Sequence, residues 1–215
     1  MNYRDFLQKV IYVLINPLIH GMIKIGITPN IVTSVGFIGN IVSAAFFIYA
    51  SQHDASSQAI LWGGIIVLAS GLFDMMDGRL ARLGNMSSTF GALWDSTLDR
   101  YSELVTLFGI VLIFVEAPRE WFWMGVVTFA ALVGSIMVSY VRARAEAIGL
   151  ECKVGLMQRP ERVVITALVA IISGATGNLW WLAGGMIVIA VLANFTAFWR
   201  VAYCYRALKR RDAAR

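Results

Sequence analysis

Apolar residues fall in six runs along this chain, each about as long as a membrane-crossing helix requires, with short polar stretches between them. The runs cover approximately residues 30–50, 58–82, 87–115, 120–148, 160–176 and 178–206. Roughly 20 apolar residues carry a helix across the hydrocarbon core, so the pattern predicts six transmembrane helices. Residues 1–25 read differently. There Arg4, Asp5, Lys9 and Lys24 are interleaved with Phe6, Val10, Ile11 and Leu14, the mix expected of an amphipathic helix lying in the interface. No small-residue cleavage site follows its apolar part, which argues against a signal peptide. No repeat, low-complexity tract or linker breaks the chain. The expectation is an all-α integral membrane protein with a single domain over 1–215, made of an interfacial helix (1–25) and a six-helix body (26–215).

Composition agrees with burial in lipid. The 215 residues are 59% hydrophobic and 14% charged, with mean hydropathy +0.71, whereas soluble domains carry about 25% charged residues. The loops at 51–57, 116–119 and 175–178 hold a single basic residue, Arg119. All other Lys and Arg residues flank the opposite helix ends or sit in the terminal segments. By the positive-inside rule both termini are cytoplasmic, which an even number of spans requires, and the protein belongs in the cell (cytoplasmic or inner) membrane. The net charge of +5 points to anionic lipid headgroups or phosphate ligands rather than nucleic acid. The basic tail "RALKRRDAAR" reads as a topology anchor. Cys152 and Cys204 map to the reducing side and have no neighbours at metal-ligand spacing. His20 and His53 are isolated. The seven Trp residues, at 62, 94, 121, 123, 180, 181 and 199, read as interface belts and packing.

One stretch stands out against this background: "FDMMDGRLARLGNMSSTFGALWDSTLDR", residues 73–100, with Asp74, Asp77, Asp95 and Asp99. An ionised Asp within a spanning helix costs roughly 2.5–3.5 kcal/mol even on a lenient scale. The spacing is i,i+3 for the first pair and i,i+4 for the second, so each pair lines one helix face. Between the pairs, Gly84 and Asn85 mark a turn, which makes the two helices antiparallel and lets the acidic faces meet. Carboxylates so placed repel one another and desolvate badly. Divalent cations resolve the conflict, and oxygen-only donors suit Mg²⁺, Ca²⁺ or Mn²⁺. Gly78, Ala81 and Gly91 leave room on the same faces. Pairing with Arg79, Arg82 or Arg100 is the competing explanation, but these arginines are poorly spaced along their own helices to satisfy four acids.

The pattern Asp74-x2-Asp77-Gly78-x2-Ala81-Arg82-x8-Gly91-x3-Asp95-x3-Asp99 resembles, with no position departing, the signature of the CDP-alcohol phosphotransferases. The resemblance implies transfer of a substituted phosphate from a CDP-alcohol to a second alcohol, with release of CMP. It implies two divalent ions, usually Mg²⁺ with Mn²⁺ possible, held by Asp74, Asp77, Asp95 and Asp99, and Asp99 as general base. Gly78, Ala81, Arg82 and Gly91, with Asp74, would accommodate the CDP group. Asn30 and Thr33 in "TPNIVT" (28–33) join them by the same resemblance. Many members of the family are homodimers, and that state is carried over. Phosphoryl transfer depends more on charge neutralisation and positioning than on covalent help, which such a site provides.

The acceptor is read from two further features. "GALWDSTLDR" resembles the form found in inositol-using members, and the "LDPLADK"-like form of phosphatidylglycerophosphate synthases is absent. Basic residues also gather at later helix ends: Arg142 in "SYVRARAEA", Arg159 and Arg162 in "MQRPERVV", and Arg200 within the last span. Arginine forks suit a phosphate. Both patterns resemble bacterial phosphatidylinositol-phosphate synthases, which condense CDP-diacylglycerol with myo-inositol phosphate. Arg142 stands where those members tend to have lysine, so the charge is kept while the geometry changes. The expected partners are CDP-diacylglycerol, an inositol phosphate and membrane lipid. Phosphatidylglycerophosphate synthesis, or another acceptor, is the alternative. A divalent-cation transporter would instead carry acidic or broken-helix elements at the midplane of two related halves.

Overall fold

The structure is a computed structural model that describes residues 3–213, with the backbone alone for residues 3–11, 13 and 14. The side chains of Arg4, Asp5, Phe6, Lys9, Val10, Ile11 and Leu14, on which the amphipathic reading of the N-terminal segment rests, lie outside the described residues.

Seven helices follow in order: α1 (Tyr3–Lys24), α2 (Pro29–Ser51), α3 (Ser57–Leu83), α4 (Thr89–Glu116), α5 (Phe122–Ala147), α6 (Arg159–Thr176) and α7 (Leu179–Ala213), with a short 3₁₀ turn, Arg119–Trp121, before α5. Local chemistry sets several of their ends. Pro29 and Pro160 lie in the first turns of α2 and α6, where a missing N–H leaves no bond unmade. Ser88 caps α4, its hydroxyl accepting from the Gly91 N–H at 2.9 Å, as N-cap serines do. Gly177 ends α6 in the left-handed conformation (φ 66°), the usual geometry of a glycine stop.

The helices α2 to α7 close a ring. α2 packs on α3 and α4, α3 on α6, α6 on α7, α7 on α5, and α5 on α4, while α1 rests against α3. Short side chains let some of these helices approach closely. A Cβ on Gly64 would fall 2.8 Å from the Ile171 nitrogen, and one on Gly174 would fall 2.6 Å from the Ser57 oxygen, so α3 and α6 touch nearly backbone to backbone. Phe47, Ile60, Ile110, Ile113, Phe114, Leu182, Met186 and Ile189 fill the core.

The outside of the ring is greasy. Phe198 is 74% exposed and Trp123 71%, and large exposed apolar side chains recur along every helix from α2 to α7. Four helices among the described residues are long and apolar enough to cross a membrane: α2, α3, α5 with its preceding turn, and α7. This is a multi-pass membrane protein. α4 and α6 differ for a physical reason. α4 carries Asp95, Asp99, Arg100 and Glu103, and α6 has 18 residues with Arg159, Glu161 and Arg162 in its first turn. Trp62, Trp121, Trp123, Trp180 and Trp181 lie towards the end of the ring that holds the 52–56, 117–121 and 177–178 connections. The acids lie at the other end.

Candidate active site

The last turns of α3 and the first turns of α4 run antiparallel around the 84–88 connection, where Asn85 takes a positive φ of 52°. This brings Asp74 together with Asp95 and Asp99, each offering one carboxylate oxygen within 4.8 Å of the others. Asp77 is held apart from that trio. It is 5% exposed, and its Oδ2 accepts a 2.6 Å hydrogen bond from the Thr33 hydroxyl of α2. Arg159, at the start of α6, reaches across the ring with Nη1 2.6 Å from Asp74 Oδ2 and Nη2 2.8 Å from Asp99 Oδ1. Arg100 stands 3.7 Å from Asp99.

The other two arginines of the stretch turn away from the acids. Arg79 donates to Asn16 Oδ1 at 3.2 Å and lies 4.5 Å over the ring of Tyr12, while Arg82 donates to the Tyr12 hydroxyl at 3.2 Å. Both contacts dock α1 on α3. Arg159 and, at longer range, Arg100 therefore offset part of the charge of the converging trio. A compact, oxygen-only donor set of this kind fits Mg²⁺ or Mn²⁺.

Two cavities meet at the acids. One, of about 180 Å³, lies between the starts of α2 and α4 and the end of α3. Asn30, Thr33, Asp77 and Gly78 line it, and Ala81, Arg82, Gly91 and Asp95 complete the wall. A Cβ on Gly78 would meet nothing nearer than the tip of Arg82 at 3.6 Å, so this cavity reaches the α3 backbone. The other, of about 210 Å³, lies inside the ring. Its walls are largely apolar, including Phe37, Val67, Leu68 and Leu107, and its polar end is formed by Asp74, Asp99, Glu103, Arg159 and Arg162. Thr33 lines both.

The four arginines expected around the acceptor are not gathered in one place. Arg142 pairs at 2.9 Å with Glu146 on the exposed face of α5. Arg200, 2% exposed, donates to the carbonyls of Val154 at 2.8 Å and Val138 at 2.6 Å, and neither it nor Arg142 lines either cavity. Arg162 is 2% exposed. Its Nε and Nη2 donate to the two oxygens of Glu103 at 2.5 and 2.8 Å, and its Nη1 to the Met157 carbonyl at 3.1 Å. All three of its nitrogens are engaged within the protein, at the polar end of the larger cavity. Arg159 alone of the four meets the acids. Sequence reasoning missed Glu103, although its signal was present one turn after Asp99 on the same face. It also missed Tyr12 and Asn16, whose contacts with α3 no local spacing announces.

The family model for CDP-alcohol phosphatidyltransferases matches residues 26–199. The chain is 36% identical over 188 residues to the phosphatidylinositol phosphate synthase of Mycobacteroides abscessus, covering 86% of this chain and 81% of that protein. It is also 36% identical over 187 residues to the archaetidylinositol phosphate synthase of Methanothermobacter thermautotrophicus, covering 86% and 87%. The fold is similar to the crystal structure of Mycobacterium tuberculosis phosphatidylinositol phosphate synthase with CDP-DAG bound, at a TM-score of 0.76 and 30% identity over 88% of this chain and 92% of that one. The same M. tuberculosis protein has been solved in complex with manganese and citrate, again with a TM-score of 0.76 and 30% identity, covering 88% of each chain.

Proposed function

Since the chain belongs to the CDP-alcohol phosphatidyltransferase family, we propose that it transfers the phosphatidyl group of CDP-diacylglycerol to a hydroxyl of an inositol phosphate. The products are phosphatidylinositol phosphate and CMP. The observation that carries this reading is the convergence of Asp74, Asp95 and Asp99, facing Arg159, at the junction of a small polar cavity and a larger apolar one.

The chain's own residues divide the work. Asn30, Thr33, Gly78, Ala81, Arg82 and Gly91 hold the nucleotide half of the donor in the polar cavity. Asp74, Asp77, Asp95 and Asp99 would hold two Mg²⁺ ions, which would supply positive charge to neutralise the diphosphate and the charge that develops on it. Asp99 takes the proton of the incoming hydroxyl as the new O–P bond forms and the bond to CMP breaks. Arg159 holds the acceptor's phosphate, while Arg142, paired with Glu146, and Arg200, bound to backbone carbonyls within α7's reach, line neither cavity and act on it only through their charge. The relatives named for inositol phosphate chemistry support this choice of acceptor.

In the membrane, we read the ring as six spans. The charged starts of α4 and α6 sit at the end where the basic residues gather, and that end faces the cytoplasm along with both termini. α1 lies in the interface, and the whole chain forms one domain, working as a homodimer in the cell membrane. The test is CMP release from CDP-diacylglycerol with Mg²⁺ and a panel of acceptors, the lipid products being identified by mass spectrometry. Product formed with myo-inositol phosphate is expected. Preference for glycerol 3-phosphate would move the protein to a different acceptor within the same family.

A further inference from the structure

α4 and α6 belong to the same ring but do not pack side by side. α4 lies against α2 and α5, and α6 lies against α3 and α7. Two ionic rungs span the gap between them. The outer rung joins Arg159 to Asp99 at 2.8 Å. One turn deeper, Arg162 meets Glu103 through two bonds of 2.5 and 2.8 Å. Glu103 follows Asp99 by one turn on α4, and Arg162 follows Arg159 by one turn on α6, so the rungs stack along facing sides of the two helices. The deeper rung is the more enclosed, with side-chain exposures of 2% and 7% against 20% and 13% for the outer one.

A buried ion pair loses most of its Coulombic gain to desolvation, so stability alone is a poor reason to build one; fixing a register is better attested. Here the register is that of the first turn of α6. The Arg162 fork ties that turn to α4, and its third nitrogen ties Met157, just ahead of the helix, to the same anchor. The bonds of Arg159 run to Asp74 and Asp99 themselves. Those carboxylates take other partners during turnover, so something else must keep Arg159 in place.

We propose that Glu103 is a positioning residue for the transfer reaction: by gripping Arg162 across the ring, it sets the first turn of α6, and with it the Arg159 guanidinium, against Asp99. The inference rests on the acceptor reading given above.

The test compares the full-length wild type with Glu103→Gln, which keeps the side chain's size and removes its charge. The acceptor KM is expected to rise about ten-fold. The KM for CDP-diacylglycerol, and Mn²⁺ affinity measured by electron paramagnetic resonance, should stay at wild-type values. Exchanging the partners, Glu103→Arg together with Arg162→Glu, should recover most of the lost acceptor affinity. An unchanged acceptor KM in Glu103→Gln would overturn the proposal. Equal losses in acceptor KM, donor KM and Mn²⁺ affinity would do so too, since they mark general packing. An exchange variant that folds without recovering overturns it by showing that Glu103 acts on substrate directly. Should Glu103→Gln fail to fold, Arg162→Lys carries the same comparison, because it keeps the charge but cannot make the fork. A raised acceptor KM there supports the proposal and an unchanged one defeats it. A wild type that ignores inositol phosphate but uses another acceptor defeats the acceptor reading alone, and the KM comparison is then made with that acceptor.

Discussion

The hydroxyl of Thr33 on α2 donates to Oδ2 of Asp77 on α3 across 2.6 Å. The bond ties the acid outside the converging trio to a threonine that lines both cavities. Thr33→Val keeps the shape and removes the donor. A hydrogen bond to a charged group is worth roughly 1.5–3 kcal/mol, so kcat/KM for CDP-diacylglycerol should fall about ten- to a hundred-fold. Steady-state kinetics at saturating acceptor measure this, and wild-type values would show that Asp77 needs no such restraint.

The aspartates should be essential as a unit. Asp74→Asn, Asp77→Asn or Asp95→Asn should each remove nearly all turnover, because an amide cannot balance divalent charge. Chelation should silence the wild type, and Mg²⁺ should restore it. Asp99→Asn should behave differently, binding the CDP-lipid in a direct binding assay while failing to transfer. Loss of binding as complete as in Asp77→Asn would make Asp99 a plain ligand rather than the base.

The arginines should separate by environment. Arg159→Gln should raise the acceptor KM by about ten- to a hundred-fold, the loss of one charge-assisted bond, and leave the donor KM nearly alone. Arg200 is bound to the Val138 and Val154 carbonyls and lines neither cavity, so Arg200→Gln should lower stability and change the acceptor KM little. Arg142 pairs with Glu146 on an exposed face, where an ion pair is worth at most about 1 kcal/mol, so Arg142→Gln should change little. Free inositol should be a poor acceptor, because it leaves the phosphate's cationic partners unpaired. Its efficient use would contradict a phosphate pocket.

α1 should tune the nucleotide cavity from outside the ring. Tyr12 holds Arg82 through its hydroxyl at 3.2 Å and lies under Arg79. Tyr12→Phe keeps the ring and loses the hydroxyl, so a several-fold rise in donor KM with unchanged acceptor KM is expected, of the order of one exposed hydrogen bond. Kinetics on Tyr12→Phe and on Tyr12→Leu, which removes the ring as well, decide between the two contacts.

Stability should be sensitive where helices touch closely. Any Cβ on Gly174 runs into the start of α3, so Gly174→Ala should destabilise by about 1–3 kcal/mol, the usual cost of overpacking. Thermal unfolding in detergent would show it as a lowered midpoint, and an unchanged midpoint would mean that α3 and α6 can separate freely.

Much of the fold was legible in the chain because lipid imposes a simple grammar. The predicted runs 30–50, 58–82 and 160–176 became helices at Pro29–Ser51, Ser57–Leu83 and Arg159–Thr176, since proline, glycine and polar turns mark the ends. The final helix runs past the predicted 206 to Ala213; the basic residues there are good helix formers, and nothing in the tail forces a stop. The convergence of Asp74, Asp95 and Asp99 could be anticipated from spacing plus one turn. The fate of the arginines could not. Whether Arg162 faces a ligand or Glu103 depends on which helices stand opposite in the ring, and that order is a long-range property. An arginine's long stem also reaches several candidates from one backbone position, so the sequence leaves Arg159 and Arg162 equivalent where the structure does not.

The cross-ring rungs carry a consequence for how the protein is made. Arg162 is 59 residues beyond Glu103, and Arg159 is 85 beyond Asp74. At about 5–20 residues per second of synthesis, the acids of α3 and α4 wait roughly 3–12 s or more before their cationic partners leave the ribosome. Unpaired carboxylates cannot be left in hydrocarbon during that interval without a large cost. Until α6 arrives, water, bound cations and Arg100 are what can balance the acidic end of the nascent α3–α4 hairpin. A late-arriving helix thus completes a charge balance that the early ones reach only in part, and any delay between α5 and α6 prolongs the interval in which Glu103 is without Arg162.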